Sequence, residues 1–338
     1  MLQALQQVRV LQTLTNMNFI QQAFKGKTNW WRYIVVFFIA LIGWQVIGRL
    51  PLSLAAVLKS PNEGAFSRIL TEISQGKNIN ANLFLFLMIL SFAIGLAFLL
   101  LAVKWVHKRK PKTLITSRKK IDWKRVFFAF ILWFSIAVSM IGLEYVLHPE
   151  NFVWNFNLVP FVILVLIAVL LLPLQTSFEE ILFRGYFMQA FGVLSRNALF
   201  PLLLTAIIFG LLHGANPEVD KLGSLIYIYY IGTGLFFGIA TLMDDGLELS
   251  LGMHAANNIV AAVFVTTNWT VFQTDALLVD ISEPSLGIQA FLPVFVIYPI
   301  VLFVYSKKYG WTNWKNKLFD NIKKPISSEL EEINEAMK

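Results

Sequence analysis

The sequence predicts an all-α, polytopic membrane protein, a bundle of about eight transmembrane helices, on three observations. Of 338 residues 57% are hydrophobic and only 14% charged, against about 45–50% and about 25% in a soluble domain. The apolar residues fall into repeated uninterrupted segments, most of them near the ~20 residues that cross a bilayer. The basic residues behind the net charge of +8 stand beside those segments, where they act as topology signals. They do not form a phosphate-binding face, so nucleic acid is not an expected partner. Cysteine is absent, which removes disulfides, thiolate metal sites and a cysteine nucleophile.

Taken in order, residues 1–29 form an N-terminal segment. Leu2, Leu5, Val8, Leu11, Leu14 and Met17 recur at helical spacing, which predicts an amphipathic helix on the membrane surface or against the bundle. This stretch lacks the continuous apolar core of a secretory signal. The bundle occupies residues 30–306. Its first span runs from about Trp30 to Leu50, with Lys25, Lys27 and Arg32 at its start. Pro51 to Asn82 reads as a polar connection and Leu83 to Val106 as the second span. The densest basic stretch follows, from Lys104 to Arg125, and the positive-inside rule makes it cytoplasmic.

The third span, Val126 to Leu147, leads to a loop without Lys or Arg (148–157). The fourth, Leu158 to Thr176, contains Pro173, which should kink or break the helix. Spans five to eight follow at about Ala198–His213, Leu222–Met243, Leu247–Thr267 and Leu286–Tyr305. An even count puts both termini in the cytoplasm of a bacterial inner-membrane protein. Residues 307–338 form a soluble tail, in which Ser328 and Glu331 make a capping box. Gly210 with Gly214, and Gly234 with Gly238, have the spacing that lets helices approach closely.

Chemistry concentrates where charge interrupts this apolar background. Phe178-Glu-Glu-Ile-Leu-Phe-Arg184 lies between two strongly apolar runs, where each charge costs roughly 2.5–3.5 kcal/mol at a helix centre. Glu180 and Arg184, four apart, share a helix face and can pair. Glu179 is rotated by ~100° from Glu180 and is left free to act as a base. His213 ends the fifth span and His254 lies in the seventh, with Asn258 one turn on along the same face; Asn257 is the neighbouring alternative. His107 and His148, at span ends, read as water-facing. Two imidazoles, a carboxylate and a carboxamide could hold a divalent metal such as zinc, with His213 and His254 as ligands and an open water position. They could equally activate a water without metal, Glu179 taking the proton while His and Asn donors hold an oxyanion. No His-Glu-x-x-His pair is present.

Glu179-Glu180-x-x-x-Arg184, Phe209-x-x-x-His213 and His254-x-x-x-Asn258, in that order on successive apolar segments, resemble the CAAX protease and bacteriocin-processing (Abi, CPBP) family of intramembrane proteases. The resemblance spans roughly Leu158 to Thr267. It implies a bundle of about eight transmembrane helices around a cavity open toward the cytoplasm. It also implies a peptide or membrane-protein substrate met in the lipid bilayer, with Glu179 as general base. Glu180 and Arg184 would then order the site, and His213, His254 and Asn258 would bind the oxyanion or a metal. Two other readings are a family member acting as scaffold or immunity factor without turnover, and a proton-coupled transporter. The latter has no supporting inverted repeat. One geometric condition stands out. A fifth helix starting at Ala198 carries His213 ~22 Å along its axis, so the site closes only if that helix is displaced or tilted, or if the Glu179-Glu180 helix dips into the membrane.

Overall fold

The computed structural model describes residues 17–325. The N-terminal amphipathic pattern falls almost wholly on residues 1–16, and the Ser328–Glu331 capping box beyond 325; both lie outside the described residues. Helices stand at all eight expected places. They are α1 (Trp30–Lys59), α2 (Ala81–Val106), α3 (Trp123–Leu147), α4 (Leu158–Ser195), α5 (Leu199–Leu212), α6 (Ser224–Asp244), α7 (Glu248–Val263) and α8 (Ala290–Tyr309). Six are long and apolar enough to cross a membrane; α5 and α7, of 14 and 16 residues, are not. Eight crossings are therefore not what the helix lengths give. The two short helices are the ones that bring His213 and His254.

Two boundaries differ from expectation. Past Leu50 the chain does not enter a polar loop: the first helix runs on to Lys59, and a second, Glu63–Ser74, packs on it through Ala56, Ile69 and Ile73. The fourth span does not end at Thr176. Pro173 is absorbed inside a helix that continues through a π-helical segment, Ile181–Phe187, to Ser195. Such i→i+5 segments are rare and concentrate at functional sites.

Lipid-facing surface is legible from exposure: Leu158, Val159, Val162, Leu166, Val169 and Leu170 of α4 are all open, whereas Leu164, Ala168 and Leu172 are buried. By contrast α7 is buried almost throughout, and its small residues explain why. A Cβ on Gly252 would lie 2.0 Å from the Val126 carbonyl oxygen, so only glycine lets α7 press its backbone against α3. The Gly210 and Gly234 positions do the same for α5 and α6. Added Cβ atoms there would meet the Ile231 amide nitrogen and the Ala206 Cα, each at 2.9 Å.

The two ends of the bundle are built differently. At the basic end, Arg118 pairs with Asp244 (2.8 Å) and Glu248 (3.0 Å), and Arg125 with Asp244 (2.5 Å). Asp245 there accepts from the Phe19 amide and from Lys317. This ties the N-terminal segment, the basic loop, the α6–α7 turn and the C-terminal segment together. His107, expected to face water, is buried here. Its Nδ1 donates to the Lys27 carbonyl at 2.7 Å and its Nε2 shares a hydrogen bond with Tyr186 Oη at 3.0 Å. At the other end is a small sheet ordered β1-β3-β2: β1 (Phe152–Trp154) runs antiparallel to β3 (Leu278–Asp280), and β2 (Val265–Thr266) parallel to it.

Candidate active site

The depth condition is met by the length of α4. Glu179 lies 16 residues, ~24 Å, before the Ser195 end, and His213 lies 14 residues, ~21 Å, beyond Leu199. Because α4 and α5 are joined by a short turn, the two side chains come to the same level. The acidic pair sits within the helix, as the dipping alternative requires.

Glu180 and Arg184 form the expected pair at 2.9 Å, both fully buried. The same Glu180 oxygen, Oε1, also accepts from His254 Nδ1 at 2.8 Å. Glu180 is thus a hub that joins α4 to α7, and its second oxygen has no hydrogen-bond partner among the described residues. The Arg184 guanidinium lies over the Phe209 ring at 4.1 Å and reaches the Gly234 carbonyl of α6 at 3.3 Å. A carboxylate only accepts, so Nδ1 of His254 carries a proton, and its Nε2 faces Glu179. That nitrogen is 3.7 Å from Glu179 Oε2, beyond direct hydrogen-bond range. The ring is held flat against Phe237, centroids 5.1 Å apart.

Glu179 is not without a partner, as its rotation from Glu180 suggested: Gln175 Nε2 donates to its other oxygen. Gln175 in turn accepts from Asn258 Nδ2 at 3.0 Å, so Asn258 reaches the carboxylate through an amide. Asn257, the alternative, also lines the cavity; it accepts from Trp133 Nε1 at 3.1 Å and donates to Asn258 Oδ1 at 3.2 Å. The His213 Nδ1 donates to the Phe209 carbonyl at 2.7 Å, which again leaves Nε2 for the cavity. Its ring stacks on Tyr230 at 4.5 Å.

Glu179, His213, His254 and Asn258 line one cavity of about 280 Å³, while Glu180 and Arg184 stand behind it. Among the described residues no three His, Cys, Asp or Glu side chains converge closely enough to hold a metal ion. The zinc set expected on His213 and His254 does not fit this arrangement, and no step below is routed through a metal.

The cavity extends from these groups to Asn216, Glu218, Val271 and Phe272 and takes no wall from the basic loop or the α6–α7 turn. It therefore runs toward the sheet-bearing end. Four residues of the site were not read from the sequence. Gln175 had a signal, a polar group one turn before Glu179 on an apolar helix. Phe237 and Tyr230 had none, being aromatics among many. Glu218 reads as an ordinary helix-start acid after Pro217, and its partner, the Val271 amide at 3.1 Å, is remote in sequence. Burial raises the Glu218 carboxyl pKa, opposed by that amide and its own.

Comparison with known proteins agrees with the three motifs. A family model described as type II CAAX prenyl endopeptidase Rce1-like matches residues 154–260, within which all six candidate residues fall. The uncharacterized protein YyaK of Bacillus subtilis (strain 168) is 30% identical over 298 residues, covering 86% of this chain and 97% of that one. No solved structure matches. With those motifs, that match and a near full-length relative, the chain belongs to the Rce1-like CAAX prenyl endopeptidase family of membrane proteins.

Proposed function

We propose that the chain is an intramembrane endopeptidase that hydrolyses a peptide bond with a water activated by Glu179. The observation that carries this is the 3.7 Å approach of Glu179 Oε2 to Nε2 of His254 on the wall of a shared cavity. Two polar atoms at that separation hold one water between them at normal hydrogen-bond length. As the water oxygen attacks the carbonyl carbon, its proton passes to Glu179. The developing oxyanion is met by Asn258, which has an amide proton beyond the one given to Gln175. His213, with Nδ1–H held on the Phe209 carbonyl, presents Nε2 to the same cavity. Glu179 then returns the proton to the leaving amine nitrogen as the carbon–nitrogen bond breaks, and is regenerated as carboxylate. Glu180 and Arg184 touch no reacting atom; they fix the tautomer and angle of His254. The substrate is a peptide or a membrane-protein segment reached within the bilayer.

Purified full-length chain in detergent or nanodiscs, offered internally quenched peptides, tests this. Glu179→Gln, which keeps the Gln175 contact, lowers turnover by about 10²–10⁴-fold while accumulation and melting stay close to the parent. Turnover unchanged in Glu179→Gln would remove Glu179 as base. No turnover on any peptide or membrane-protein substrate would favour the scaffold reading.

A further inference from the structure

The catalytic scheme leaves one half-buried carboxyl of the cavity unused. Glu218 stands in the short helix Pro217–Leu222, on the wall that the segment after α7 completes. One of its oxygens, Oε1, accepts from the Val271 amide at 3.1 Å. The other, Oε2, is buried and has no hydrogen-bond partner among the described residues. Leaving such an oxygen unpaired away from water is costly. The surrounding wall makes the kind of partner specific. It holds two carboxylates, Glu179 and Glu218, and not one Lys or Arg. It also holds aromatic faces, among them Tyr229, Tyr230 and Phe272. Carboxylate oxygens with aromatic faces in a low-dielectric cleft favour a cation by direct pairing, by cation–π attraction and through the field of the whole cleft. A free C-terminal carboxylate finds no Lys or Arg on this wall.

We infer that Glu218 and these aromatic faces form a specificity subsite for a basic side chain, a Lys or Arg of the peptide bound in the cavity. The assignment rests on the endopeptidase reading for its meaning as specificity, but it is a binding claim and stands on its own measurement. It also sorts peptides: one cut internally beside a basic residue fits this cavity, and one whose terminal carboxylate must be seated here does not.

The test uses full-length chain in nanodiscs and fluorescein-labelled decapeptides identical except for one central residue, Lys, norleucine or Glu. Binding is read by anisotropy. The Lys peptide is expected to bind roughly tenfold more tightly than the norleucine peptide, the size of one charge-assisted hydrogen bond, and the Glu peptide most weakly. Glu218→Gln keeps an oxygen for the Val271 amide and removes the charge; it should bring the Lys and norleucine affinities together. Equal affinities in the parent, or a Lys preference that persists in Glu218→Gln, overturn the subsite. Cleavage of the same peptides is followed separately. Preference without cleavage sinks the hydrolysis reading and leaves the subsite standing; cleavage without preference does the reverse.

Discussion

Arg184 and Glu180 are both at zero side-chain exposure and are joined at 2.9 Å, so removing one strands the other where no water reaches it. Breaking a buried pair in this way costs about 3–5 kcal/mol, whereas replacing both partners by apolar or neutral groups of similar volume is often nearly neutral. Arg184→Met leaves Glu180 with His254 alone. Glu180→Gln leaves the guanidinium without counter-charge, against the Phe209 ring and one carbonyl. At about 2.1 cal/mol/K per residue over 338 residues, each single change lowers the melting temperature by roughly 4–7 °C. The double variant should melt well above the sum of the two losses, with a coupling of at least ~2 kcal/mol. Thermal unfolding of the four proteins in one detergent, followed by circular dichroism, closes the cycle. Additive losses of under ~1 kcal/mol each would refute the reasoning, because they describe a solvated pair. A second readout bears on the hub role of Glu180. If it sets the His254 tautomer, Glu180→Gln should also move the pH profile of peptide cleavage, which a purely structural loss would not.

Two further outcomes follow from other parts of the molecule. His107 is buried at the basic end, and desolvation, with Arg109 and Arg32 adding repulsion, lowers its pKa from 6.5 to about 4. The unfolded chain then binds the extra proton first. Stability is complete above pH ~6.5 and falls as pH drops toward 4, by up to about 3 kcal/mol; His107→Gln should flatten that slope in melts between pH 7 and 4.5. The chain has no cysteine of its own, so single-cysteine variants report cleanly on sidedness. Val271→Cys, on the cavity wall, should react with an impermeant maleimide from outside intact cells, and Lys119→Cys only after permeabilisation. The opposite pattern would put the basic loop outside and invert the orientation argued from charge.

What was legible in the sequence was what repeats or what costs energy. The eight helical positions follow from apolar runs that nothing else explains. The Glu180–Arg184 pair follows from four-residue spacing, and the gathering of Glu179, His213, His254 and Asn258 from polar groups too costly to sit idle in lipid. The boundaries that failed did so for identifiable reasons. Pro51 is tolerated at the start of a helix after the π-helical segment Gly43–Ile47, and Pro173 inside α4, because the chain re-forms its turns on either side. The shortness of α5 was visible and that of α7 was not, nor was the consequence, since depth is set by how far α4 overruns. His107 looked wet because Lys and Arg surround it in sequence; in space it faces Tyr33 and Tyr186. The Glu218–Val271 contact joins two loops through a single side chain and leaves no periodic trace.

The small sheet over the far end of the bundle has a consequence for admission. Residues 267–277 arch from β2 to β3, and Val271 and Phe272 of this arch face the cavity. The arch is fastened to α7 by Thr274 on the Ala262 carbonyl, to α2 by Asp275 on Asn82, and to the loop after α5 by Glu218. A span moored at so many points behaves as a fixed lintel and not as a door that swings. Whatever reaches Glu179 must be slim enough to pass beneath it or must slip in sideways between helices, so ligands are sorted by girth before they meet that carboxylate.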